Sequence, residues 1–236
     1  NTNGTLRIAG TGADQIWFRV NLIMNGGVVQ LQTLNLEEEI QMLRGSSPVS
    51  VVENGLAGTT NKIRVGGNRN NKAIYGGTLR DGAAGVLDFE VRLANNIQVL
   101  NGTNTYTGAT IVNANDGGGT AAPSRLIVNG AHTGGGAYTI SGNPAVATRS
   151  GSLGGSGVIS APQVDFNDNG MLSPGGQISA DANNATFSDT TAILTISNVV
   201  NLNTGTSSLD VQLNGTTPGG WKSPPEVFTQ IGLVRA

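Results

Sequence analysis

The stretch Asp165-Phe166-Asn167-Asp168-Asn169-Gly170 is the clearest run of residues whose types and spacing could do chemistry. It fits D-x-[DN]-x-[DN]-G, the first half of a calcium loop, in which oxygen ligands at alternate positions wrap a hard cation. Asp165, Asn167 and Asn169 are its candidate ligands. The bidentate Glu expected at the twelfth position is Gly176 instead, so the stretch also reads as a solvated turn. The single histidine, His132, lies in Asn129-Gly130-Ala131-His132-Thr133-Gly134, which reads as an exposed loop. A general base needs a partner and a pocket, and no Asp or Glu is near it in sequence. The run Glu37–Glu39 offers carboxylates for glycoside hydrolysis, which needs a pair about 5–10 Å apart across a cleft. Adjacent helical positions point in different directions, so the run is expected to be a solvated face. Tyr75, Tyr106, Tyr138 and Trp221 could stack on sugars. Gly151–Gly157 lacks the Lys-Ser/Thr ending and the following helix of a phosphate loop and reads as close strand packing or a tight corner. Sequons at Asn3, Asn101, Asn184 and Asn214 matter only in a glycosylating host.

Composition narrows the chemistry further. The chain has 236 residues, of which 36 are Gly, 26 Asn and 24 Thr. Aromatics are 4% and charged residues 12%. Zero Cys excludes disulfides, thiolate metal sites and Cys nucleophiles, and one His excludes a multi-His metal centre. The net charge of −2 comes with no basic stripe, which argues against nucleic acid as a partner. No apolar run reaches the roughly 18 residues of a membrane-spanning helix. So much Gly, Asn and Thr argues against a helical bundle. A hydrophobic share of 37% still allows a core.

The elements that must position these residues are short strands. An apolar-any-apolar motif followed by Gly recurs as Leu6–Gly10, Ile63–Gly67, Leu126–Gly130, Tyr138–Gly142 and Leu209–Gly215. Alternation with period two marks a half-buried strand, and Asn-Gly and Gly-Gly mark turns. Further strands are predicted at Gln15–Met24, Val28–Leu36, Val86–Leu93, Ile97–Leu100, Ala109–Val112, Val164–Phe166, Ala192–Ile196 and Val199–Leu202. Their spacing suits a solenoid, a β-sandwich or a jelly roll. The internal repetition favours a parallel β-helix, whose inward side chains stack in apolar ladders. One segment reads as a short capping helix near 35–44: Asn35 caps it, Glu38 is its capping-box partner, Leu36, Ile40 and Leu43 share a face, and Gly45 closes it. A polar edge strand is the other reading of that segment. Asn115–Ser124 reads as a corner loop. Pro218–Pro225 reads as a tail that leaves the coils, with a last strand at Val227–Val234.

Asn101-Gly-Thr-Asn-Thr-Tyr-Thr-Gly-Ala-Thr-Ile-Val112, followed by Leu126-Ile-Val-Asn-Gly130, resembles the passenger-associated strand repeat of bacterial autotransporters. Ile74–Gly82 and the lead-in Gly85–Asp88 resemble the strands just upstream. Ser152-Leu-Gly-Gly-Ser-Gly-Val-Ile159, Gly170-Met-Leu-Ser-Pro-Gly175 and Ser208–Gly219 resemble the strands that follow. The resemblance covers roughly residues 74–219. It implies an all-β, right-handed parallel β-helix on an exported protein, and it carries no catalytic site. Residues 1–73 match only in composition and read as a continuous N-terminal segment, and 220–236 as a C-terminal extension. Nothing in the chain resembles an outer-membrane barrel.

These readings lead to one expectation: a non-enzymatic structural or adhesive module of the extracellular space or cell surface, self-assembling end to end into a filament or layer. Its partners would be copies of itself and surface polysaccharide. No cofactor is expected beyond the calcium candidate. A carbohydrate-binding or polysaccharide-acting β-helix, or a ligand-binding passenger domain, are the alternatives.

Overall fold

The structure is a computed structural model that describes residues 4–12, 14–82, 85–114 and 122–210. Short strands dictate its architecture. A strand of two to seven residues cannot bury its apolar face alone, so successive windings stack and share one interior. The described chain is all-β and forms a parallel β-solenoid.

Each full winding places one strand on each of three faces. The first face runs Thr5–Ile8, Gly27–Leu31, Ser50–Asn54 and Thr78–Arg80, then continues through Thr103–Asn104, Ala131–His132, Val158–Ile159 and Thr195–Ile196. The second is a 7-stranded sheet: Glu37–Ile40, Thr60–Val65, Val86–Arg92, Thr110–Asn113, Tyr138–Ser141, Gln163–Asn167 and Val199–Leu202. The third carries Leu22–Ile23 and Leu43–Arg44, then a 6-stranded sheet: Lys72–Tyr75, Ile97–Leu100, Ser124–Val128, Gly151–Gly155, Gly170–Pro174 and Ser208–Leu209. All these pairings are parallel. Neighbouring windings pair residues 19 to 28 positions apart through most of the stack, and 36 to 37 apart where the last winding carries an extra excursion. Strand Lys72–Tyr75 crosses the boundary drawn at residue 73, and the ladders run on both sides of it.

Parallel register superimposes equivalent positions, so side chains form rows. On the second face Ile40, Val65, Val91, Val112, Ile140, Phe166 and Leu202 make one inward row. Glu38, Ile63, Phe89, Thr110, Tyr138, Val164 and Val200 make the other. Polar groups inside the stack are bonded, as burial requires. The Asn61 amide donates to Asn54 Oδ1 at 2.9 Å and its oxygen accepts Leu36 N–H at 2.6 Å. Gln98 reaches past Ala73 to the backbone of Leu43, accepting its N–H at 3.2 Å and donating to its carbonyl at 3.0 Å. At one corner Gly77, Gly102, Gly130 and Gly157 stack directly. A Cβ on Gly102, Gly130 or Gly157 would lie within 2.0 Å of the carbonyl oxygen of the glycine below.

The expected helix near 35–44 is overturned: Glu37–Ile40 and Leu43–Arg44 are strands. Leu36, Ile40 and Leu43 satisfy a helical spacing, but Leu36, Glu38, Ile40 and Met42 satisfy period two, and all four are buried. The ladder with Thr60–Val65 selects the second pattern, an instance of tertiary pairing overriding local propensity. Gln15–Met24 contracts to Leu22–Ile23, whereas Ile97–Leu100 and Val199–Leu202 match the expected strands residue for residue. Most of Asn115–Ser124, the tail Pro218–Pro225 with Trp221, the strand expected at Val227–Val234, Asn3 and Asn214 lie outside the described residues.

Phe89 is fully buried in the middle of an inward row. Phe89→Ala is expected to cost about 3–5 kcal/mol, read as a lower midpoint in denaturant unfolding with the circular-dichroism signature of strand retained.

Candidate functional site

Chemistry-bearing side chains fall into three sets: one inside the stack and two on its outer faces. The inner set centres on His132. The first-face register aligns it with Asn104 and Ile159 in a row pointing inward, and it is only 1% exposed. This overturns the expected exposed loop: the Gly-rich flanks form corners, while Ala131–His132 between them is a strand. Its ring stacks on Tyr106, with centroids 4.1 Å apart and 21° between the planes. His132 Nε2 lies 2.8 Å from the Tyr106 carbonyl oxygen, which can only accept, so Nε2 carries the proton. Nδ1 then accepts from the Tyr138 hydroxyl at 2.8 Å. The Tyr106 hydroxyl pairs with Thr110 Oγ1 at 2.6 Å. Burial pushes the His132 imidazole below its ordinary range, against the opposing pull of the Tyr106 hydrogen bond and of Asp81. The group is thus a neutral, two-sided hydrogen-bonding bridge between windings.

Burial also removes Tyr75, Tyr106 and Tyr138 as sugar platforms, because all three are fully enclosed. Solvent-free surroundings raise the hydroxyls of Tyr106 and Tyr138 well above the ordinary tyrosine range. Among the described residues, Trp17 is instead an exposed aromatic, 62% open, edge-to-face with Phe18 at 6.2 Å.

The second set comprises charged rows on the outer faces. Glu37, Lys62 and Asp88 share one row of the second face, and Glu39, Arg64 and Glu90 the next. Lys62 Nζ meets Glu37 Oε1 at 3.0 Å, and Arg64 meets Glu37 Oε2 at 3.1 Å and Glu90 Oε2 at 3.0 Å. Arg92 closes on Glu39 at 2.9 Å. Hydrogen bonding from Lys62 holds the Glu37 carboxyl below its ordinary range, despite some burial. Glu38 turns to the interior, where it accepts N–H bonds from Ile16 at 2.6 Å and Gln15 at 3.0 Å. Burial raises its carboxyl, and those two bonds only partly offset the rise. The strand thus splits the glutamate run between two sides of a sheet, with both oxygens of Glu37 taken by cations. On the first face, Arg7 donates to Gln30 at 3.1 Å, and Gln30 and Arg80 each donate to Glu53 at 2.6 Å. Spacings of 23 to 27 residues were the available signal for these rows.

The third set is the calcium candidate. Asp165 and Asn167 sit side by side on outward positions of Gln163–Asn167. Asn201 on the next winding donates to Asp165 Oδ1 at 2.7 Å. Asn203 donates to the same oxygen at 3.3 Å and to Asn167 Oδ1 at 2.9 Å, and Gln163 donates to Asp165 Oδ2. Asn169 turns away, its amide donating to the Asn143 carbonyl at 2.6 Å. Some burial raises the Asp165 carboxyl, but bonds from Asn201, Gln163 and Asn203 outweigh it and hold the acid below its ordinary range. The side-chain oxygens of Asp165 and Asn167 thus accept four amide donations, from Gln163, Asn201 and Asn203. Among the described residues, no three of His, Asp and Glu gather as metal ligands. Searches against known protein families, curated proteins and solved structures found no match to this chain.

Two outcomes follow from this geometry. A histidine held neutral stabilises the fold fully above its unfolded pKa of about 6.5, and that contribution is lost as pH falls below it. Urea unfolding between pH 7.5 and 5 should show this loss, and His132→Gln should remove that part of the slope, leaving the opposing contributions of the carboxyls that burial raises, Glu38, Glu39 and Asp88. Calcium added to the purified chain should leave its melting temperature unchanged; a calcium-dependent rise that Asp165→Asn abolishes would mean the amides turn to admit the ion.

Proposed function

We propose that this chain is a non-enzymatic structural or adhesive solenoid of the extracellular space or cell surface that associates end to end. One observation carries the self-association. Among the described residues, strand Thr5–Ile8 has a partner on one edge only, Gly27–Leu31. Val28 N–H donates to Gly4 and Gln32 N–H to Ile8, at 2.9 and 2.8 Å. The backbone groups of Thr5 and Arg7 therefore face the open edge. Beside them, Leu6 and Ile23 are 50% and 62% exposed along a cleft shared with Leu22, Met24 and Val28. An unpaired edge next to apolar surface is a template for another chain. A head-to-tail contact that does not close builds a filament. The resemblance of residues 74–219 to passenger repeats supports an exterior setting.

Electron microscopy of the concentrated chain should show linear or layered assemblies. Thr5→Pro deletes a donor on the open edge without touching the existing ladder, and should abolish the assemblies while the strand signal persists. Monodisperse monomers of the unaltered chain at high concentration would overturn the proposal.

A further inference from the structure

The third face breaks the rule that outward positions of an exposed solenoid are polar. Register aligns Ile23, Arg44, Ile74, Val99, Ile127 and Gly154 in one outward row. Three consecutive members of that row are large and apolar, and the strand Ile97–Leu100 is buried on both sides. What covers them is an excursion from the last windings. After Gly170–Pro174 the chain leaves the coil and forms a small antiparallel hairpin, Gln177–Ile178 with Phe187–Ser188. Its base is anchored where Gly155 and Gly175 exchange backbone hydrogen bonds at 2.6 and 2.8 Å, and it opens at two glycines with positive φ, Gly175 and Gly176. Ile178, Ala185 and Phe187 pack onto Ile74, Ile97, Val99 and Ile127. The Arg125 guanidinium lies over the Phe187 ring at 4.4 Å.

The tip reaches the early windings. Asp181 Oδ1 meets Arg44 Nη1 at 2.6 Å and accepts the backbone N–H of Ile74 at 2.9 Å. Arg44 also donates to Asn183 and to the Lys72 carbonyl. Arg44 is 6% exposed, so the hairpin supplies the counter-charge of a buried cation. Arg44 and Asp181 are 137 residues apart in sequence, whereas the ladder hydrogen bonds join neighbouring windings only.

A stack that couples only nearest neighbours unravels from its ends, one winding at a time. We propose that the hairpin 176–190 is a clasp that ties the last windings to the early ones, so that the windings between Arg44 and Gly175 open as one unit. Its lock is the Arg44–Asp181 pair at the tip, and its grip is the apolar row beneath. Fraying of the later windings must then break the Arg44 pair and expose Ile74, Val99 and Ile127 together. Fraying of the early windings must strip the hairpin from its seat.

Hydrogen exchange by mass spectrometry on the full chain, with denaturant unfolding, tests this. In the unaltered chain, segments 72–75, 97–100 and 170–174 should exchange in one common opening, within a single unfolding transition. Asp181→Asn removes the counter-charge but keeps an oxygen for the Ile74 N–H. It should speed exchange of 72–75 and 176–190 by roughly tenfold or more and separate the later windings from the early ones. Phe187→Ala should uncouple them from the base of the same hairpin. The clasp is overturned by independent exchange of 72–75 and 170–174 in the unaltered chain, and equally by unchanged coupling in both variants.

Discussion

Each winding passes its backbone hydrogen bonds to the next, about 4.8 Å away. That single constraint shapes the rest of the molecule. Parallel stacking places every residue directly over its counterpart, so no side chain is chosen for itself alone. An apolar residue pointing inward joins a row, as Val65, Val91 and Val112 do. A charge pointing outward meets whatever lies one winding above, as Lys62 meets Glu37. A polar group pointing inward has no water, so it must find its partner along the axis. Asn61, Gln98, Asn104 and His132 all do so.

The same constraint explains why side chains with chemical capacity serve as connectors. His132 holds two windings together through one ring, with its proton fixed on Nε2 by a carbonyl. Asp165 is surrounded by amides because the next winding supplies asparagines at the matching positions. The glutamate run divides, since a strand sends alternate residues to opposite sides. The hairpin over the third face works on another scale. It makes the long-range contacts that a ladder of neighbours lacks, and it explains an outward row of isoleucine and valine that water would otherwise meet.

Much of this was legible in the residues. Alternation at Leu126–Val128 and Tyr138–Ile140, with Asn-Gly and Gly-Gly turns between, specifies short half-buried strands. Their recurrence specifies a stack. Of the glycine column at 77, 102, 130 and 157, only Gly130 belongs to the recurring strand-and-glycine motif, because the stacking of the four is set by register between windings. At Leu36–Leu43 two periods fitted equally well, because a glutamate occupied an inward strand position and imitated a helical capping box. His132 was misplaced for a related reason: glycines on both sides look like a loop, but in a stack they are corners, and a two-residue strand fits between them.

Sequence alone therefore determined the strand-and-corner composition and the absence of thiolate or multi-histidine centres, and favoured the solenoid over a sandwich or jelly roll, all of which depend on residue type and local period. Tertiary structure alone decided which side each residue faces once register is set, which residues one winding apart meet, and that Asp181 closes on Arg44. The physical reason is that register shifts of a single residue exchange inside for outside. Burial, charge pairing and proton position all depend on that choice, and it is made between windings rather than within one.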